Sequence, residues 1–158
     1  MTLYDIIRTI EQAAAKQPAV NMIVRQDVRK LNTAKDSKYA AFAWTQGTHR
    51  GLVGGDIARY TFDLFYVDRL VTDGNNLEVI QSVGIEVIRG ILADVLESVP
   101  VEVSEWVAHP FTQRFLDECG GVWVEVTITA PVSYVCTEET TGLGDFSYDY
   151  NNDYYIRK

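Results

Sequence analysis

The sequence predicts an α+β domain: a mainly antiparallel β-sheet with two amphipathic helices packed on one of its faces, a long glycine-rich hairpin arm and an extended C-terminal tail. Two patterns carry this reading. Apolar residues recur at helical spacing over residues 3–14 and 77–98, and alternate with polar ones over residues 59–70 and 122–130. Size agrees with it. The chain has 158 residues, 47% hydrophobic and 23% charged, and folding a chain of this length buries roughly two-thirds of its surface, enough for a core without metal or disulfide. One domain is expected over residues 1–136, with the tail at 137–158.

The elements follow in chain order. Thr2 and Asp5 form a capping box in which Asp replaces the usual Glu, and Leu3, Ile6, Ile7, Ile10, Ala13 and Ala14 line one helical face until Pro18 stops it. Asp5 inside that pattern marks an amphipathic helix rather than a leader, and no apolar run reaches the roughly 18–20 residues of a membrane span. Residues 20–25 are β-like. Residues 26–38 (QDVRKLNTAKDSK) read as a basic loop, and 39–46 (YAAFAWTQ) as a weakly patterned strand.

The glycine-rich run 47–55 (GTHRGLVGG) predicts a hairpin tip or arm. After it, Tyr60, Phe62, Leu64, Tyr66 and Leu70 share one face of a strand, with Arg59, Thr61, Asp63 and Arg69 on the other. Residues 73–76 turn the chain, and Asn75 with Glu78 is an N-cap arrangement for the second helix. That helix puts Ile80, Val83, Val87, Ile88, Ile91, Leu92, Val95 and Leu96 on a broad stripe that should lie across the sheet. Gly84 and Gly90 each cost a helix about 1 kcal/mol, which points to close packing against a backbone, with neutral drift as the alternative. Pro100 ends it.

Val101, Val103 and Val107 read as the next strand, His109-Pro110-Phe111 as a break, and residues 113–117 as a strand end or a helical turn. Gly120-Gly121 reads as a turn. A second clear strand follows, with Val122, Val124, Val126, Ile128 and Ala130 alternating with Trp123, Glu125, Thr127 and Thr129 up to Pro131. Residues 137–158 hold five acidic residues and four tyrosines, with few aliphatic side chains. Tyr is favoured at interfaces, so Phe146, Tyr148, Tyr150, Tyr154 and Tyr155 give this tail area to bury.

Charge excludes one class of function. The formal net charge is −8 and the pI about 4.7, the reverse of a surface that neutralises phosphates along a duplex. The distribution is uneven: residues 1–50 carry +4, 51–100 carry −5 and 101–158 carry −7. Such a split bears on association as well as solubility.

Catalytic patterns are scarce. The GLVGG run lacks the Lys and hydroxyl that would hold a nucleotide's phosphates. His49 and His109 lie in separate breaks and do not make a metal set. Cys119 follows Asp117 and Glu118, which oppose thiolate formation, and it shows no CxxC spacing with Cys136. Both cysteines read as buried or idle thiols in a reducing compartment. Asp63 with Asp68, and Glu138 with Glu139, read as solvated carboxylates rather than acid/base pairs. The expectation is a non-enzyme with no cofactor and no bound metal.

The order of these elements carries a resemblance. An N-terminal helix, early strands with a long loop, YTFDLFYVDRL, then LEVIQSVGIEVIRGILADVLE and FLDECGGVWVEVTITAP resemble tail-terminator-like and neck ring proteins of tailed bacteriophages over residues 1–132. The local match is Asp117, Gly120 and Gly121 before the strand from Val122 to Ile128. More narrowly, the chain looks like the small ring proteins in the neck of crAss-like phages of gut Bacteroidales. The tail at 137–158 departs from the plain tail-terminator pattern.

The resemblance implies a structural virion protein, assembled in the bacterial cytoplasm. It would form a ring, commonly of six or twelve copies, between portal and tail, beside other neck proteins and away from membranes. The genome would pass through as cargo, and acidic walls repel phosphate. Expected interface residues are Arg29, Lys30, Lys35 and Lys38 of the basic loop, His49 and Arg50 of the arm, and the tail aromatics Phe146, Tyr148, Tyr150, Tyr154 and Tyr155. The basic loop would meet the acidic surface of the next copy in a head-to-tail contact, or touch DNA. The arm and tail would hold neighbouring rings. The rival reading is a small acidic α+β ligand-binding domain or enzyme.

Overall fold

The computed structural model describes residues 1–32, 38–71, 75–114, 118–132, 143–149 and 153–158. Helix α1 spans Leu3–Lys16 and is opened by the expected capping box: Thr2 N donates to Asp5 Oδ2 at 2.7 Å, and Asp5 N donates to Thr2 Oγ1 at 3.2 Å. Helix α2 spans Leu77–Ser98. Its N-cap is Asn76, not Asn75, and the Asn76 side chain does not cap the helix. Its amide donates to Arg69 O at 3.0 Å and its oxygen accepts from Val71 N at 2.9 Å, so it braces the preceding loop instead.

Eight strands form one sheet: β1 Met22–Val24, β2 Ala41–Gly51, β3 Ile57–Arg69, β4 Glu102–Val103, β5 Ala108–Arg114, β6 Glu118–Pro131, β7 Phe146–Asp149 and β8 Tyr154–Arg157. The order is β4-β6-β3-β2-β1-β8-β7, with β5 also paired to β6; β1 and β2 run parallel and every other pair antiparallel. This is the α+β class that the two periodicities predict. Residues 28–32 of the basic loop form a 3-10 turn.

Both helices cover one face. Ile6, Ile10 and Ala14 of α1 and Ile80, Val87, Ile88, Ile91 and Val95 of α2 meet Phe42, Trp44, Phe62, Leu64, Val124, Val126 and Ile128 of the sheet, all buried. Each large apolar side chain buried this way contributes about 1.5–3 kcal/mol. Gly84 lets α2 approach closely, because a Cβ there would lie 2.8 Å from both Tyr66 Cδ1 and Val122 Cγ2. At Gly90 the near neighbour is the Gln17 side-chain amide, so at both glycines a side chain lies close, not the backbone that the sequence suggests.

Beyond the helix cap, four sequence readings change. The Gly120-Gly121 pair lies inside β6, between β3 and β5, not in a turn. A Cβ on Gly121 would collide with the Tyr66 carbonyl, so the glycine admits a neighbouring backbone. His109-Pro110-Phe111 is strand, not break: β5 lies at the sheet edge, where a proline's missing N–H costs no ladder bond. Val101 to Val107 is not one strand. β4 stops at Val103, where Ser104 Oγ accepts from Thr127 N at 3.0 Å and takes the place of a ladder carbonyl.

The fourth change concerns residues 137–158. Where described, they are not an extended tail: β7 and β8 form a hairpin, and β8 pairs with β1 and continues the sheet. Tyr154 and Phe146 are buried, and Arg157 donates to Ala15 O, Gln17 O and Val20 O at 3.2, 3.2 and 3.1 Å, closing the C-terminal end of α1. Residues 137–142 and 150–152 lie outside the described residues.

Candidate functional site

Among the described residues, neither α1 nor α2 covers the second face of the sheet. At one end the 3-10 turn covers a small cluster of Met22, Val24, Leu31, Ala41, Ala43, Val67, Cys119 and Tyr154. Beyond that cluster the outward residues of β3 and β6 remain half-buried or exposed. An aromatic row runs across them: Phe65 lies 6.3 Å from Trp123 and 6.4 Å from Phe111, and His109 stacks on Trp123 at 4.5 Å.

Next to that row Asp63 of β3 pairs in register with Glu125 of β6. Partial burial raises the Asp63 carboxyl pKa above its ordinary value, and the Glu125 carboxylate raises it further. Farther along the same face lies a cleft of about 550 Å³ lined by Thr48, Thr61, Ser104, Thr127 and Thr129 together with Arg50, Arg59 and Glu125.

The face continues into an arm. Between Gln46 and His49 the β2–β3 register slips by a bulge, which increases local twist. The two strands then run on to a tip at residues 52–56, closed by Gly55 N donating to Leu52 O at 2.9 Å, with Gly54 at φ +74°. That backbone angle favours glycine. Leu52 is 82% exposed and Ile57 51%, and Val53 is fully exposed. Arg50 and Arg59 stand opposite each other just behind this apolar tip.

A separate polar cluster sits within the fold. The buried Glu11 accepts from Arg25 Nε at 2.6 Å, Trp44 Nε1 at 3.2 Å and Arg8 at 3.5 Å. Burial raises the Glu11 pKa despite these donors. The Arg25 guanidinium lies 5.9 Å from the Tyr148 ring centroid and 5.8 Å from that of Tyr155, and 3.4 Å from Asp153, which also holds Lys30 at 2.7 Å. The cluster joins α1, the segment that follows β1, β2 and the C-terminal hairpin.

The structure places the expected interface residues unevenly. Arg29 is chelated by Asp27, with contacts from 2.7 to 3.0 Å, and Lys38 Nζ donates to Arg157 O at 3.1 Å. Tyr148 bonds Asp153 and packs 4.8 Å from Tyr155, whose hydroxyl accepts from Arg8 at 3.1 Å. Phe146 lies under the Arg157 guanidinium at 4.7 Å. The described tail aromatics and Lys30 thus all have partners in their own chain. His49 reaches Gln46 at 3.5 Å on the arm, and Arg50 stays exposed. Lys35 and Tyr150 lie outside the described residues.

Among the described residues no group of three or more His, Cys, Asp and Glu is placed to hold a metal. No described helix is long and apolar enough to cross a membrane. The sequence readings did not single out Arg59, Glu125 or the aromatic row as a surface. The signal for them was the period-two alternation itself, which puts Ile57, Arg59, Thr61, Asp63 and Phe65 on one face. Compared with known proteins, the chain matches no family model, and no curated protein is significantly similar to it.

Proposed function

We propose that this chain is a structural protein that works by assembling with copies of itself. In particular, we read it as the subunit of a ring in the head-tail connector of a tailed bacteriophage, joining portal and capsid to tail while the genome passes through. The observation that carries the reading is the β2–β3 arm, whose apolar tip residues Leu52, Val53 and Ile57 stay exposed rather than joining the core formed by the described residues. Exposed apolar groups rimmed by charge are the usual mark of a protein contact. Two further features support it. The net charge of −8 suits a conduit that DNA slides through without sticking, and the element order resembles neck ring proteins.

The neighbours would be portal, neck and tail proteins, with DNA as passing cargo and no catalytic step. Light scattering together with negative-stain electron microscopy of the purified chain tests this. Closed rings with a central opening are expected; a strict monomer at all concentrations, or a tightly bound metabolite in native mass spectrometry, rejects it in favour of a ligand-binding domain.

A further inference from the structure

The open sheet face carries two cross-strand pairs of like charge. Arg50 stands in register with Arg59, and Asp63 with Glu125. Like charges directly opposite one another destabilise a sheet, and none of these four joins an ion pair among the described residues. On β3 the two pairs are four residues apart, about 13 Å along a strand, so they do not neutralise each other within the chain.

Their order gives each pair a partner in a second copy. From Thr61 outward, β3 presents Arg59 and then Ile57 in one direction, Asp63 and then Phe65 in the other, all on the open face. The spacing is the same both ways and the charge is inverted. A two-fold axis through Thr61, in the plane of the face and perpendicular to β3, lays Arg59 of one copy over Asp63 of the other, and Ile57 over Phe65. Each contact occurs twice. The same axis keeps β6 over β6 and β2 over β2, so Glu125 comes to the Arg59 end and Arg50 to the Asp63 end. Sheets packed face to face lie about 10 Å apart, a gap that an arginine and a carboxylate span.

We infer that this face is a self-complementary interface across which two copies of the chain pack sheet to sheet. Residue i meets j and j meets i, as a two-fold contact requires. The inference goes beyond the ring, which closes through two unlike patches, and does not depend on it.

Charge reversal tests it by sedimentation. The wild-type chain is expected to dimerise through this face. R50E/R59E, which makes the face acidic, and D63K/E125K, which makes it basic, each weaken self-association at least about tenfold, and an equimolar mixture of the two restores it. Thr61→Lys provides a second variant with little risk to folding, since it brings two cations together only where the axis passes. In a C136S background, Thr61→Cys is expected to cross-link to itself with a short bis-maleimide, whereas Ser82→Cys on the exposed side of α2 is not.

A wild-type chain that stays monomeric overturns the inference. So does assembly that ignores both reversals and Thr61→Lys, or a mixture of folded reversal variants that fails to associate. Rings that persist through these variants would leave the ring reading standing without this contact. Dimers that never grow into rings would do the opposite.

Discussion

Arg25 Nε donates to Glu11 Oε1 at 2.6 Å, and the carboxylate that it meets is fully buried. The pair ties α1 to the residue that follows β1, and Trp44 Nε1 of β2 joins them by donating to the same oxygen at 3.2 Å. Replacing one partner of such a pair leaves the other charge uncompensated. Glu11→Ala is therefore expected to cost about 3–5 kcal/mol in urea unfolding. Glu11→Gln retains an acceptor for Trp44 and should cost less, and an E11L/R25M double variant should recover much of the loss. A cost below about 1 kcal/mol for Glu11→Ala would show that Arg25 finds other solvation, from Asp153 or water.

Arg157 makes the C-terminal hairpin part of the fold. It donates to three carbonyls at and after the end of α1 and lies over Phe146. Arg157→Ala should lower stability by about 1–3 kcal/mol, the cost of leaving part-buried acceptors without donors. Arg157→Lys should recover only part of this, because one ammonium cannot span the same carbonyls. Truncation after residue 145 should cost more, since it also removes β8 from β1. Thermal melts read all three, and a truncated chain as stable as the full one would refute the structural role.

The Asp63–Glu125 pair sets a pH dependence whose sign is fixed by the direction of the shift. Asp63 titrates above its ordinary value through desolvation first and the Glu125 carboxylate second. The folded chain thus binds more protons than the unfolded one in the window above about pH 4, and this group's contribution to stability falls as pH rises through it. Glu125→Gln removes the second cause only. In dilute monomer the Asp63 pKa should drop part of the way back, by carbon-detected NMR titration, and stability at neutral pH should rise by about 0.2–1 kcal/mol. A loss of stability at neutral pH would mean that Glu125 makes favourable contacts that outweigh the repulsion.

How far the sequence disclosed the fold depended on which residues could mean two things. Periodicity is unambiguous where apolar positions recur over many residues, which is why α2 falls at 77–98 as expected and why β3 and β6 are legible. Glycine and proline mislead because they signal turns and also permit close backbone approach or an edge strand. Gly121 beside the Tyr66 carbonyl and Pro110 in β5 are the second kind. The tail aromatics were legible as buriable area. Their partners were not, because Arg157 with Ala15, and Tyr155 with Arg8, are more than 140 positions apart in sequence. The open face failed to show for a similar reason: Glu125 meets Asp63 only once β6 has paired with β3.

In the proposed ring, the arm separates what holds the domain together from what joins its copies. Leu52, Val53 and Ile57 are mostly in solvent, so replacing them removes little burial that the monomer enjoys, and exposed substitutions of this kind usually change stability by less than about 0.5 kcal/mol. An L52S/V53S/I57T variant is therefore expected to melt within a few degrees of the wild type. Association should respond differently, because the same three side chains are the apolar area available for a neighbour to cover. Under the ring reading, light scattering should show the variant shifted to smaller species at concentrations where the wild type forms rings. Preserved rings would assign the closing contact to other surfaces of the sheet. A large drop in melting temperature would mean instead that the tip packs on its own chain, and that the arm is part of the domain rather than a means of joining copies.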